Sequence, residues 1–143
     1  MNHEILIYNK TRHKAPKKFI KDLILKVLDF LELKQPVALA VLIVDKKEIK
    51  RLNKVWRKKN ETPDELSFGL NSRQTPAFAN NSRGVLNLGE IVVNVEKISE
   101  KKYLSEILIH SLLHLAGYGH EKSLKEAKQM ERLEAKLLKH LNI

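Results

Sequence analysis

From Tyr103 to Ala116 the chain, read as a helix, is apolar on nearly every side, with Leu104, Ile107, Leu108, Ile109, Leu112, Leu113 and Leu115 distributed around it. A helix apolar on nearly every side cannot lie on a surface, so the rest of the chain has to be built around it. Gly117 is its natural stop, because glycine readily takes the left-handed backbone that ends a helix. The chain has 143 residues and is 43% hydrophobic, enough to bury such a helix within one domain spanning residues 1–143. Cysteine is absent, which excludes disulfides, thiolate catalysis and Cys-based metal sites, and suits a reducing compartment.

The remaining pattern supplies the covering elements. Ile5 to Tyr8 reads as a short strand. A helix follows from about Pro16, a residue suited to the first turn, through Phe19, Ile20, Leu23, Ile24, Val27, Leu28 and Leu31. Val37 to Val44 is a buried strand, and Asp45 with Glu48 forms a capping box for a helix whose apolar stripe is Ile49, Leu52 and Val55 or Trp56. Leu66 to Leu70 and Leu86 to Val95 read as two more strands, neighbours across the stretch Asn71 to Gly84, which either closes over a substrate or merely connects them. A last amphipathic helix turns Leu124, Ala127, Met130, Leu133, Leu137, Leu138 and Leu141 inward. The expected fold is α+β: a small mixed β-sheet of about four strands covered by helices, with a buried central metal-binding helix in a zincin-like arrangement. No apolar run is long enough to span a bilayer and the amino end lacks the features of a signal peptide, so a cytoplasmic protein is expected.

The central helix carries the chemistry. His110 and His114 are four residues apart and project from one face, one turn from each other, where two imidazoles can grip one ion. Reversal at Gly117 would carry His120 back as a third ligand. Three nitrogens leave a position open, the arrangement of a catalytic zinc, whose bound water has a pKa near ~7. One Zn2+ per chain is expected, since magnesium prefers oxygen ligands. Ordinary core histidines are the plain alternative, but two imidazoles among leucines need partners for four ring nitrogens, and a metal meets that need at once. The same spacing occurs in metzincin peptidases, where a Glu follows the first His as general base. Here Ser111 stands there and cannot do that work, which makes a metallopeptidase the second choice. Asp64, Glu65, Glu90 and Glu121 remain open as carboxylates that could serve as base.

Charge points to a polyanionic partner. The net charge is +10, and residues 1–60 hold 16 basic against 6 acidic side chains while the rest is balanced. Lys46, Lys47, Lys50, Arg51, Lys54, Arg57, Lys58 and Lys59 crowd the second helix and its end, a dense source of phosphate contacts, among which Lys54 is a candidate. Arg57, at the helix end just before the DELSF strand, can clamp a phosphate in a bidentate fork and stabilise transition-state charge. Ser67, or the backbone of its strand, is a further candidate for holding the substrate. Trp56 either stacks on a base or belongs to the core.

The stretch His110 to His120, HSLLHLAGYGH, resembles the YbeY family signature HGxLHLxGYDH. Leu52, Asn53, Trp56 and Arg57 are similar to that family's LNxxYR, DELSF at Asp64 to Phe68 to TDVLSF, and LGEI at Leu88 to Ile91 to LGDI, while Met130 and Glu134 fall in a similar context in the last helix. The resemblance implies a bacterial single-strand-specific endoribonuclease that matures ribosomal RNA, notably the 3′ end of the small-subunit 16S RNA, and acts in ribosome quality control. It also implies zinc on the three histidines, a functional arginine at Arg57, and single-stranded RNA, ribosomal RNA and the ribosome as partners. The sequence departs from the pattern at Ser111 for Gly, Gly119 for Asp, Glu65 for Val, Glu90 for Asp, and with Pro63 inserted after Thr62. Whether water or the ribose 2′-hydroxyl attacks is left open, and a noncatalytic ribosome-associated factor with a structural zinc is the third reading.

Overall fold

A computed structural model describes residues 2–69, 81–82, 84–118 and 123–143. The leucine-rich segment forms helix α3, Lys101–Leu115, and it lies at the centre: Leu104, Leu108, Ile109, Leu112 and Leu113 are all at most 1% exposed. Each side chain so buried contributes about 1.5–3 kcal/mol relative to exposure, which makes this the position from which the chain has least freedom to depart. Around it stand β1 (Glu4–Asn9), α1 (Lys17–Phe30), β2 (Val37–Val44), α2 (Lys46–Arg57), β3 (Glu65–Gly69), β4 (Asn81–Ser82), β5 (Val85–Asn94) and α4 (Leu124–His140).

The mixed sheet has the order β1-β2-β5-β3, and the two-residue β4 also pairs with β5. β1, β2 and β5 run parallel, while β3 and β4 are antiparallel to β5. Parallel neighbours need a crossover, and α1 supplies it between β1 and β2. Alternation along the strands divides the interior in two. Leu39, Val41, Ile43, Leu88, Ile91 and Val93 face the large core beneath α1, α3 and α4, and Val44, Leu66 and Val92 on the opposite face pack with Ile49 of α2.

Several local expectations change in detail. Pro16 is the residue before α1 rather than part of its first turn. Asp45 caps α2 by accepting from the Glu48 N–H at 2.8 Å, but the Glu48 carboxylate pairs with Arg51, so the capping box is only half formed. The inward stripe of α2 is Ile49, Leu52 and the buried amide of Asn53, whereas Val55 and Trp56 overhang the packed face and are exposed. Leu124 is exposed too, because α4 meets the core only from Met130 onward. The expected strand to Leu70 ends at Gly69, with Leu70 outside the described residues.

The register between β2 and β5 slips by one residue after Ala38, where Leu39 pairs with Gly89. Gly89 has φ +123°, and a Cβ there would stand 2.1 Å from the Phe68 carbonyl oxygen. Only glycine lets β3 close onto β5 at this point. Gly89→Ala is therefore expected to destabilise the protein by about 3 kcal/mol or more, combining strained backbone with a backbone clash. An unchanged urea midpoint would refute this.

His3 joins the two amino-proximal strands by accepting from the Val37 N–H through Nδ1 at 2.9 Å. Partial burial holds its pKa below the usual value. The folded state thus favours neutral His3 and the unfolded state binds the proton more readily. This contribution is complete above the unfolded pKa of about 6.5 and is lost as pH falls through the lower folded value. Between pH 7.5 and 5.5 the thermal midpoint should fall more for the natural protein than for His3→Gln, and parallel profiles would discount His3.

Candidate metal centre and active site

The site begins where α3 ends. The Gly117 N–H (φ +104°) donates to the His114 carbonyl at 3.1 Å and the Tyr118 N–H to the Leu113 carbonyl at 2.9 Å, the paired bonds of a glycine-terminated helix. This stop leaves His110 and His114 on the last two turns, at the rim of the core. Their Nε2 atoms lie 3.0 Å apart, with ring centroids separated by 4.5 Å. The third expected ligand, His120, lies outside the described residues, as do Gly119 and the candidate base Glu121. Among the described residues no group of three possible ligands surrounds one point.

Nδ1 of His110 is 2.5 Å from the Glu134 carboxylate. A carboxylate at Nδ1 favours the hydrogen on that nitrogen, and leaves Nε2 as the atom turned toward His114. Glu134 was not singled out from the sequence as functional. Its signal was available, however: it lies on the inward stripe of α4, four residues after buried Met130 and three before buried Leu137, where a carboxylate has no place without a partner.

A cleft of about 420 Å³ opens beside the pair, lined by Asp64, Glu65, Glu106, His110 and Glu134 with Pro63 at its mouth. A larger cavity of about 860 Å³, between His13, Asp45 and Lys101 at the other end of α3, shares none of these residues, whereas the smaller one is lined by the His110 imidazole. Two buried amides position the acidic wall. Asn53 donates to the Glu61 carbonyl at 3.1 Å and Asn94 to the Pro63 carbonyl at 3.4 Å, fixing the turn from α2 into β3. Asp64 then accepts from the Tyr103 hydroxyl, which raises the Tyr103 pKa, and lies 3.8 Å from Lys97. Ser111, fully buried, donates to Glu65 at 2.6 Å. Both members of that pair stand where the sequence departs from the YbeY pattern.

Arg57 reaches the same strand from the other side. The left-handed residue Lys58 (φ 59°) ends α2, and the Arg57 guanidinium donates to the Ser67 carbonyl with its Cζ 5.0 Å from the Phe68 ring centre. The Asn94 N–H donates to the Asp64 carbonyl, so by alternation the backbone of Glu65 and Ser67 faces away from β5, along the outer edge of the sheet. Ser67 thus enters through its carbonyl. Lys54 is exposed on α2, and Glu90 is on the opposite sheet face from the cleft.

The family model for endoribonuclease YbeY matches residues 5–142. The chain belongs to the YbeY family. Proteins described as endoribonuclease YbeY include those of Thermodesulfovibrio yellowstonii, 39% identical with 81% of this chain and 76% of that one covered, and Bartonella henselae, 33% identical with 99% and 87% covered. That of Mycoplasma mobile is 30% identical, with 100% and 97% covered. The solution structure of TM1509 from Thermotoga maritima matches with a TM-score of 0.56 and 25% identity over 96% of this chain and 91% of that one, in keeping with the α+β fold. Membership of YbeY carries an endoribonuclease role and RNA as the substrate class.

The Glu134 contact predicts that Glu134→Ala frees the His110 ring to rotate and weakens binding of a divalent metal by about 10–100-fold. Titration with zinc in competition with a chromophoric chelator measures this; equal affinity in the variant would remove Glu134 from the site.

Proposed function

We propose that this YbeY protein is a zinc-dependent endoribonuclease specific for single-stranded RNA, with His110, His114 and His120 holding one zinc ion. The observation that carries the reading is the convergence of the two Nε2 atoms. Two bonds of 2.0–2.1 Å at a tetrahedral angle place such nitrogens about 3.3 Å apart, close to the 3.0 Å found. The donor chemistry fits as well, because Glu134 sets the His110 tautomer with its lone pair toward the shared point. Zinc held there supplies Lewis acidity and activates water.

The chain's own residues have separate tasks. Arg57 binds a phosphate and stabilises charge that develops on it, Ser67 and the β3 edge seat the RNA, and Lys54 adds a phosphate contact. Glu65, held by Ser111, and Asp64 are the described carboxylates placed to accept a proton in the cleft. Ribosomal RNA, including the 3′ end of the small-subunit RNA, is the proposed substrate in maturation and quality control, with the ribosome as partner and the cytoplasm as location. No described helix is long and apolar enough to cross a membrane.

Two features weigh against a peptidase. Ser111 occupies the position of the expected base and its hydroxyl is engaged by Glu65, and the outward Ser67 carbonyl, which a peptide would use to extend the sheet, is already bonded to Arg57.

Metal analysis together with a chelator-controlled assay on single-stranded RNA tests the proposal. Chelation and His114→Ala should each abolish cleavage, and His114→Ala should also lose zinc. Arg57→Ala should keep its zinc while cleavage falls about 100- to 1,000-fold. Undiminished cleavage by metal-free protein would refute the zinc mechanism, and a folded zinc protein that cleaves no RNA would leave the metal structural.

A further inference from the structure

Trp56 is the chain's single tryptophan and is 66% exposed, the largest apolar side chain left outside both cores. Its recorded ring neighbour is Phe68, met edge-on with centroids 6.4 Å apart and planes at 69°. Phe68 in turn carries the Arg57 guanidinium at 5.0 Å, and Arg57 bonds to the Ser67 carbonyl. One side of the indole is therefore braced against β3 while the rest meets solvent. Lys54, Lys58 and Lys59, all exposed, flank it in the chain.

An exposed indole within a run of cations suits an apolar protein partner poorly, because docking there would desolvate several charges. It does suit single-stranded nucleic acid, which offers a base face to the ring and phosphates to the lysines. We propose that Trp56 is a base-stacking subsite that seats one unpaired nucleobase of the RNA, positioning the neighbouring phosphate at Arg57. This rests on the RNA-cleaving reading above and adds to it a physical source of single-strand preference, since a base already stacked in a duplex cannot present its face to the indole.

The single tryptophan makes the test direct. The full chain is titrated with a ten-nucleotide single-stranded RNA under chelation, following Trp56 emission, while binding is measured independently by retention of labelled RNA on a filter. Emission should be quenched in step with binding. Trp56→Ala should weaken binding about 5- to 150-fold, Trp56→Tyr should restore most of it, and the thermal midpoint should stay within a few degrees. Against a fully abasic chain of the same length, the natural protein and Trp56→Ala should bind alike, a dependence on the base that a merely structural role would not show. Saturable binding with unchanged emission, or an equal loss on the abasic chain, would overturn the subsite and leave the nuclease reading standing. Absence of RNA binding at low salt would overturn both.

Discussion

Burial of α3 on all but the face that carries Tyr103, Glu106 and His110 sets the direction of the side chains on which the site depends. Rotating this helix about its axis would bring Leu108, Ile109, Leu112 or Leu113 toward water, at about 25 cal/mol for each Å² exposed. The two histidines on its last turns therefore keep only side-chain freedom, and for His110 the Glu134 carboxylate removes most of that. Glu134 can do so because Met130 and Leu137, on the same stripe of α4, lock that helix against the core. The geometry of the histidine pair is a by-product of apolar packing, with one carboxylate added where packing brings it to the ring.

What could be read from the sequence was whatever a short window determines. The β2 limits and the Asp45 cap follow from an uninterrupted apolar run ended by an Asx residue, and the His110 to His114 spacing needs only helical geometry. Trp56 could not be assigned in that way, since nothing local says that α2 outruns the sheet it covers. The Glu65 to Ser111 bond joins residues 46 apart and depends on how β3 sits against α3, a relation fixed by the β5 register and by the glycine at its slip. Each of the two looked like an isolated departure from the YbeY pattern; together they form one hydrogen bond, with the buried hydroxyl and the cleft carboxylate satisfying each other.

The distribution of charge gives the strongest reason to separate binding from chemistry. The surplus of the chain lies in its first 60 residues, much of it along α2, yet the cleft beside His110 is walled by four carboxylates. Three of them are held by the Tyr103 and Ser111 hydroxyls or by His110, and Lys97, 3.8 Å from Asp64, is the one lysine paired with this wall among the described residues. A phosphodiester moving into that cleft meets repulsion unless a cation is held there, and a divalent ion is drawn to the same wall for the same reason. In the proposed mechanism, polyanion attraction and phosphate chemistry thus act on opposite sides of β3. Arg57 is the residue that spans them, since it belongs to the basic helix and bonds to the backbone edge of the strand whose Glu65 lines the cleft. A chain with basic residues throughout would bind RNA more uniformly, but would have no preferred place to hold a metal.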